Sequence, residues 1–182
     1  WCNESGEKHT FSFQDISRYS TMAANFFASH GVKRGDRVML ILKRHYQFWF
    51  AVLGLHKLGA VGIPATNQLM KKDISYRCNA AGISAIICTM DDNVSEHVSA
   101  ALQESPTVNV CFGVHGTRDN WIDFEEFRNF PDTMERVETL ATDPMLIYFT
   151  SGTTGMPKMV VHDFSYPIAH IVTAKYWHKV VP

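Results

Sequence analysis

Hydroxyl-bearing and glycine residues crowd one short segment, TSGTTGMPK, at residues 150–158. Gly152 and Gly155 can adopt a positive φ, which lets a ligand approach the backbone closely. Successive backbone N–H groups in such a turn form a concave surface that attracts anions. The hydroxyls and the ammonium of Lys158 are further donors for phosphate oxygens. The segment therefore predicts a polyphosphate-binding loop formed by Thr150, Ser151, Gly152, Thr153, Thr154, Gly155, Met156, Pro157 and Lys158.

The alternative interpretation of this segment is an ordinary polar hairpin turn, because Gly, Ser and Thr are common turn residues. Six consecutive hydroxyl or glycine residues followed by Pro157 and Lys158 favour the phosphate loop. The P-loop of common nucleotide hydrolases is excluded, since its pattern requires Gly where Pro157 stands and Ser or Thr where Met159 stands. The dinucleotide pattern Gly-x-Gly-x-x-Gly does not occur in the sequence either.

Two short apolar segments flank the loop and position it. Residues 146–149 and 159–161 are rich in β-branched, aromatic and other apolar side chains, which predicts a strand on each side of the turn. Ser165 is placed to cap a following helix that runs to about Trp177, with Pro167 tolerated in its first turn. The loop is therefore expected at the tip of a hairpin.

Strands and helices alternate along the preceding residues. Apolar spacing after Ser12, which forms a capping box with Asp15, predicts a helix that Gly31 ends. Further helices are predicted at 46–58, at 71–81 and after Asp91 and Asp92. A short helix is predicted around Trp121, Phe124 and Phe127. The predicted strands cover residues 38–42, 60–63, 85–88 and 108–112.

This alternation predicts an α/β fold with a largely parallel sheet flanked by helices and right-handed crossovers. The expected organisation is an α/β layer at residues 1–130, a linker at 131–144, and the phosphate-loop hairpin with its following helix at 145–182. The polar composition around Pro131 is the basis for the linker.

Charge and cysteine content narrow the class of protein. Seventeen basic and eighteen acidic residues give a net charge of −1, which provides no basic surface for nucleic acid. The four cysteines are scattered without a Cys-x-x-Cys pair, which favours reduced thiols in a cytoplasmic protein over a zinc site or a disulfide scaffold. The longest apolar run, residues 48–55, is too short for a membrane-spanning helix.

The segment YFTSGTTGMPK, residues 148–158, resembles the phosphate-loop signature of the adenylate-forming superfamily. Residues 10–15, 31–38 and 57–64 resemble the N-terminal segments of the same superfamily, in the same order. The medium-chain acyl-CoA synthetases are the most similar branch, because residues 63–69 and 72–77 and the pair Lys158-Met159 resemble theirs. The resemblance covers nearly the whole chain and implies the N-terminal part of a synthetase-like large domain.

That resemblance implies a two-step ligation. A carboxylic acid attacks the α-phosphate of Mg²⁺-bound ATP, which gives an acyl-adenylate and pyrophosphate, and coenzyme A then displaces AMP. The loop would hold the β- and γ-phosphates, and Lys158 would neutralise the charge that develops on pyrophosphate. The magnesium-binding glutamate, the ribose-binding aspartate and a C-terminal catalytic lysine lie downstream of this loop in the superfamily, so the isolated chain is expected to be inactive.

Several other residues invite a functional interpretation. His162 and His170 flank the loop exit. No carboxylate or nucleophile lies at a sequence spacing that would indicate a catalytic pair with either, which favours structural histidines. The aromatic run 48–50 is interpreted as core, and Lys71-Lys72 as a solvated helix start. Tyr166, Tyr176 and Trp177 are candidates for contact with an acyl chain.

Two other functional classes stay open at this point. The chain is either part of an AMP-forming acyl-CoA ligase, a non-catalytic α/β interaction module, or a phosphotransferase with an unusual glycine loop. The reaction products distinguish them, since a phosphotransferase yields ADP whereas a ligase yields AMP and pyrophosphate.

Overall fold

A computed structural model describes residues 1–3, 6–151 and 155–180 of the chain. The strands are β1 (Arg37–Ile41), β2 (Val61–Pro64), β3 (Ala85–Thr89), β4 (Val110–Val114), β5 (Ile122–Asp123), β6 (Pro144–Thr150) and β7 (Lys158–Asp163). The helices are α1 (Phe13–Ser29), α2 (Gln47–Lys57), α3 (Lys71–Ala81), α4 (Val94–Leu102) and α5 (Tyr166–Tyr176), with a 3₁₀ helix at Phe124–Asn129.

All seven strands form one sheet in the order β5-β4-β3-β1-β2-β6-β7. Every neighbouring pair is parallel except β6 and β7, which form an antiparallel hairpin. The predicted α/β fold with a largely parallel sheet is therefore confirmed. Because the carboxyl ends of parallel strands meet at one edge, the loop after β6 lies on the same edge as the loops after β1, β3 and β4.

Local sequence accounts for the ends of most helices. The predicted capping box is present, since the Ser12 side chain accepts from the backbone N–H of Asp15 and the Asp15 carboxylate accepts from the backbone N–H of Ser12. The helix ends at Ser29, and Gly31 follows with φ of 88°. Gly82 ends α3 in the left-handed conformation, with φ of 60°. Only glycine adopts this conformation at little cost.

The helices cover both faces of the sheet. On one face α1, α2 and the 3₁₀ helix pack on β1 and β4 around a cluster of buried phenylalanines, Phe26, Phe27, Phe50, Phe112, Phe124 and Phe127. On the other face α3 and α4 pack on β1, β2 and β3 through aliphatic side chains and Cys78. The doubly covered central strands are apolar on both sides, as the continuous hydrophobic runs predicted.

The structure differs from the sequence expectation at three places. The short helix predicted around Trp121 is a two-residue strand, β5, followed by a 3₁₀ helix that begins only at Phe124. Trp49 is 55% exposed, so the aromatic run 48–50 is only partly core. The Ser165 side chain does not cap α5, because its hydroxyl donates to the Asp163 carboxylate instead.

The predicted linker, residues 131–144, is largely irregular but contacts the α/β layer through hydrogen bonds and an ion pair. Asn25 on α1 donates hydrogen bonds to the carbonyls of Pro131 (2.7 Å) and Thr133 (3.0 Å). Arg34 and Asp143 form an ion pair of 2.7 Å. The hairpin beyond this segment joins the same sheet through the pairing of Gly62 with Leu146. The boundaries at residues 130, 131, 144 and 145 remain predictions.

His56 in α2 is half-buried with its Nε2 atom buried, and it makes stability depend on pH. Burial lowers the pKa of His56 to about 4 from 6.5, although the backbone of Met145 partly offsets this effect. Among the described residues, its Nε2 has no hydrogen-bond partner. The unfolded chain binds a proton at a higher pH than the folded chain. The free energy of unfolding therefore falls as the pH drops from 6.5 towards 4.

We expect the substitution His56→Leu to remove part of this acid sensitivity. The loss of stability between about pH 7 and about pH 4.5 should shrink by roughly 2 kcal/mol, because the imidazole no longer has to be protonated. Urea denaturation at both pH values measures it, and His170→Leu, at an exposed histidine, is the control. Equal pH dependence in His56→Leu and the unsubstituted chain would contradict the assignment.

Candidate phosphate-binding loop

The hairpin of β6 and β7 carries the predicted loop at its tip. Thr150 pairs with Lys158 at the end of the ladder, and the Thr150 hydroxyl lies 3.4 Å from the Lys158 carbonyl. Ser151, Gly155 and Met156 are exposed, so the loop is open to a ligand on the side of these residues. Gly152, Thr153 and Thr154 lie outside the described residues.

Gly155 has the backbone conformation that the sequence predicts. Its φ is 106°, and no heavy atom lies within 4 Å of the position that a Cβ atom would occupy. This combination leaves the backbone accessible to a bulky anion and makes any other residue strained at this position. The corresponding prediction for Gly152 falls on a residue outside the described ranges.

Helix α3 holds the exit of the loop, a contact that the sequence did not reveal. The Tyr76 hydroxyl donates to the carbonyl of Pro157 at 3.0 Å. The guanidinium carbon of Arg77 lies 5.2 Å from the centre of the Phe149 ring, within the range of a cation–π contact. These contacts connect β6 and the residue that precedes β7 to the helix.

Lys158 is the first residue of β7 and its side chain is exposed. Its position beside Thr150 places an ammonium group at the base of the open loop. A flexible lysine at this place can reach an anion seated against the loop amides. Its role in catalysis remains a prediction.

Behind the loop, four rings follow one another from the sheet into α5. The centroid distances are 5.6 Å from Tyr148 to His162, 4.0 Å from His162 to Tyr166, and 4.5 Å from Tyr166 to His170. Burial and the neighbouring Tyr166 raise the pKa of Tyr148. Within the described part of the chain, the ion pairs do not include His162 or His170. The interpretation of both as structural histidines remains a prediction.

The surface beyond the rings is apolar and exposed. In the described residues of α5 and its C-terminal end, Ile168, Ile171, Val172, Tyr176, Trp177 and Val180 are all exposed. Contact of Tyr166, Tyr176 or Trp177 with an acyl chain remains a prediction. No helix among the described residues has both the length and the apolar character needed to cross a bilayer.

Comparison with known proteins identifies the family. The family model described as AMP-binding enzyme matches residues 2–181. The chain belongs to the AMP-binding enzyme family. The resemblance drawn from the phosphate-loop signature and the N-terminal segments is therefore confirmed.

Curated relatives of this AMP-binding chain include mammalian acyl-coenzyme A synthetases. The chain is 36% identical over 179 residues to the mitochondrial acyl-coenzyme A synthetase ACSM5 of Rattus norvegicus, with 96% of this chain covered and 31% of the relative. It is 34% identical over 168 residues to the mitochondrial synthetase ACSM2A of Homo sapiens, with 91% and 29% covered. The chain thus spans about a third of the length of these relatives.

Solved structures show the same fold. Acetoacetyl-CoA synthetase from Streptomyces lividans matches with a TM-score of 0.88 at 18% identity, over 97% of this chain and 29% of that one. The anthranilate CoA ligase AuaEII, in complex with anthranoyl-AMP, matches with a TM-score of 0.83 at 22% identity, over 93% and 32%. The described sheet and helices therefore have the architecture of the N-terminal part of these larger AMP-binding enzymes.

Proposed function

We propose that this chain is the N-terminal portion of an AMP-forming acyl-CoA synthetase and that its hairpin loop binds the β- and γ-phosphates of ATP. The observation that carries the proposal is the open hairpin tip at the carboxyl edge of the sheet, where Gly155 exposes its backbone and Lys158 supplies a positive charge. Ligands of open α/β sheets bind at this edge.

In the parent protein the proposed reaction has two steps. The carboxylate of the acid attacks the α-phosphorus of ATP, and the bond to the pyrophosphate oxygen breaks. The thiol of coenzyme A then attacks the acyl carbon of the adenylate and releases AMP. The loop contributes fixed amide and hydroxyl donors, and Lys158 stabilises the negative charge on the departing pyrophosphate.

Magnesium in this proposal accompanies ATP, as hard cations commonly bridge phosphate oxygens. Lys158 and the hydroxyls of Thr150 and Ser151 fit the phosphates rather than the cation, because an ammonium is a donor only and the hydroxyls donate well to anions. Protein ligands to magnesium are therefore expected in other parts of the parent. The cytoplasmic location stays a prediction, and the relatives above are named as mitochondrial.

The exposed apolar side chains of β7 and α5 support the proposal that this chain is part of a longer protein. Met159, Val160 and Val161 on β7 are exposed in the described structure, and so are Ile171 and Trp177 at α5. Exposed apolar side chains in this number are typical of a surface on which other polypeptide packs. Further residues of the same polypeptide are the proposed cover, since the chain spans only about 31% of the length of its relative ACSM5.

Pyrophosphate release by the parent protein tests the proposed function. We expect acid-dependent release of pyrophosphate and AMP with at least one member of a series of carboxylic acids from acetate to octanoate, and thioester formation once coenzyme A is added. The isolated chain should release none. Formation of ADP in place of AMP would instead support a phosphotransferase, and nucleotide turnover by the isolated chain would contradict the predicted incompleteness.

A further inference from the structure

Three side chains that can ligate a metal converge at the carboxyl edge of the sheet, away from the hairpin. His45 follows β1, Asp91 follows β3 and His115 follows β4 directly. One ligand atom from each lies within 4.8 Å of the other two. The three residues come from three adjacent strands, because the sheet order places β3 between β4 and β1.

This cluster lies at the topological switch point of the sheet, where the connections after two neighbouring strands run to opposite sides. After β1 the chain enters α2, which packs on the phenylalanine face, and continues to β2 on one side. After β3 it enters α4, which packs on the opposite face, and continues to β4 on the other side. The two connections therefore leave β1 and β3 in opposite directions. In open α/β sheets this switch point is the usual ligand site.

Contacts among these residues already bring the donors together. The Nε2 atom of His45 lies 3.3 Å from Asp91 Oδ2 and 3.0 Å from the Thr89 hydroxyl. The rings of His45 and His115 have centroids only 4.1 Å apart. His115 adopts a left-handed backbone conformation, with φ of 64°, directly after β4. Two imidazoles and one carboxylate therefore share one small volume.

A buried amide, that of Gln47, lies beside His115. Gln47 is 1% exposed, and its Oε1 has no hydrogen-bond partner among the described residues. The Nε2 of the same amide lies 3.3 Å from His115 Nε2 and donates to Glu125 at 2.8 Å.

We propose that His45, Asp91 and His115 bind one divalent transition-metal ion, with Zn²⁺ as the best match to two nitrogen donors and one oxygen donor. Tetrahedral zinc with ligands near 2.1 Å holds them roughly 3.4 Å apart. Asp91 and His115 are exposed, so an ion from solvent can reach both of them. The fourth position would hold water. This site is independent of the proposed ligase function.

The positive charge of Lys43 is expected to weaken metal binding, so removing it should raise the affinity for the ion. Its ammonium lies 3.6 Å from Asp91 and 3.2 Å from Asp92. A neighbouring positive charge disfavours a cation at the same carboxylate. The substitution Lys43→Met should therefore tighten Zn²⁺ binding severalfold. A structural ion pair without a metal site gives no such gain.

Calorimetric titration with ZnCl₂ near neutral pH, on the 182-residue chain carried by a solubilising fusion partner without a histidine tag, tests the proposal. We expect one equivalent of Zn²⁺ to bind, and His115→Asn and Asp91→Asn to weaken it by about tenfold or more. Asparagine tolerates the left-handed backbone at position 115, and circular dichroism checks that the fold is kept. His178→Ala, at an exposed histidine at the end of α5, should leave the affinity unchanged.

Two outcomes of the titration would contradict the proposed metal site. Saturable binding with the same affinity in His115→Asn and the unsubstituted chain would assign the ion to other histidines and overturn the site. The absence of saturable binding would overturn it as well. Neither result bears on pyrophosphate release by the parent, so failure of the metal site and failure of the ligase proposal are distinguishable.

Discussion

Replacing Lys158 by alanine in the parent protein is expected to lower acid-dependent pyrophosphate release by about 10²–10³-fold. The reason is the position of the ammonium at the base of the open hairpin loop, where it stabilises charge on the leaving pyrophosphate. The measurement is kcat and KM for ATP with a saturating acid. Because the interaction strengthens as charge develops, the loss should fall mainly on kcat.

The control for this experiment is Lys72→Ala, which removes an exposed lysine near the start of α3. It should leave turnover within about twofold of the unsubstituted protein, because exposed charges far from the reacting groups contribute little. Unchanged fold in Lys158→Ala, checked by circular dichroism, separates the loss from misfolding. Full turnover in Lys158→Ala would refute the role given to this lysine.

The substitution Phe27→Ala is expected to lower the free energy of unfolding by about 3–5 kcal/mol. Phe27 is 0% exposed, and its ring contacts those of Phe26, Phe112 and Phe124. Removing it leaves a cavity in the aromatic cluster between α1 and the sheet. Since small domains have only about 5–15 kcal/mol of stability, the loss should be visible as a large shift of the urea midpoint.

The same helix offers a matched control. Phe13 is the first residue of α1 and is 97% exposed, so Phe13→Ala removes the same atoms without opening a cavity. Its effect should stay within about 0.5 kcal/mol. A comparable loss in both variants would mean that the aromatic cluster is not the main packing of this helix.

Much of the fold was predictable because its determinants are local. The capping box at Ser12 and the left-handed Gly82 specify helix ends through contacts within a few residues. Continuous apolar runs identified the central strands, since those strands are covered on both faces. The hairpin followed from two short apolar runs around a polar turn. Gly155 adopts the positive φ that its residue type predicted.

The features that the sequence did not predict depend on distant residues. Tyr76 and Pro157 are 81 positions apart, so their hydrogen bond becomes visible only once α3 packs beside the hairpin. His45, Asp91 and His115 come from three separate loops and meet only through the strand order. The helix predicted near Trp121 failed for a related reason. Pairing of Ile122 with Phe112 makes these residues a strand, although their spacing is helical.

Strand β7 has a practical consequence for any preparation of the isolated chain. It is the last strand in the order of the sheet, and Met159, Val160 and Val161 are exposed along it. An uncovered sheet margin with exposed apolar side chains is a template onto which a second copy can add, which leads to aggregation. Low protein concentration or a solubilising fusion partner should therefore limit aggregation of the isolated chain. The intact parent needs neither if its remaining residues cover that margin.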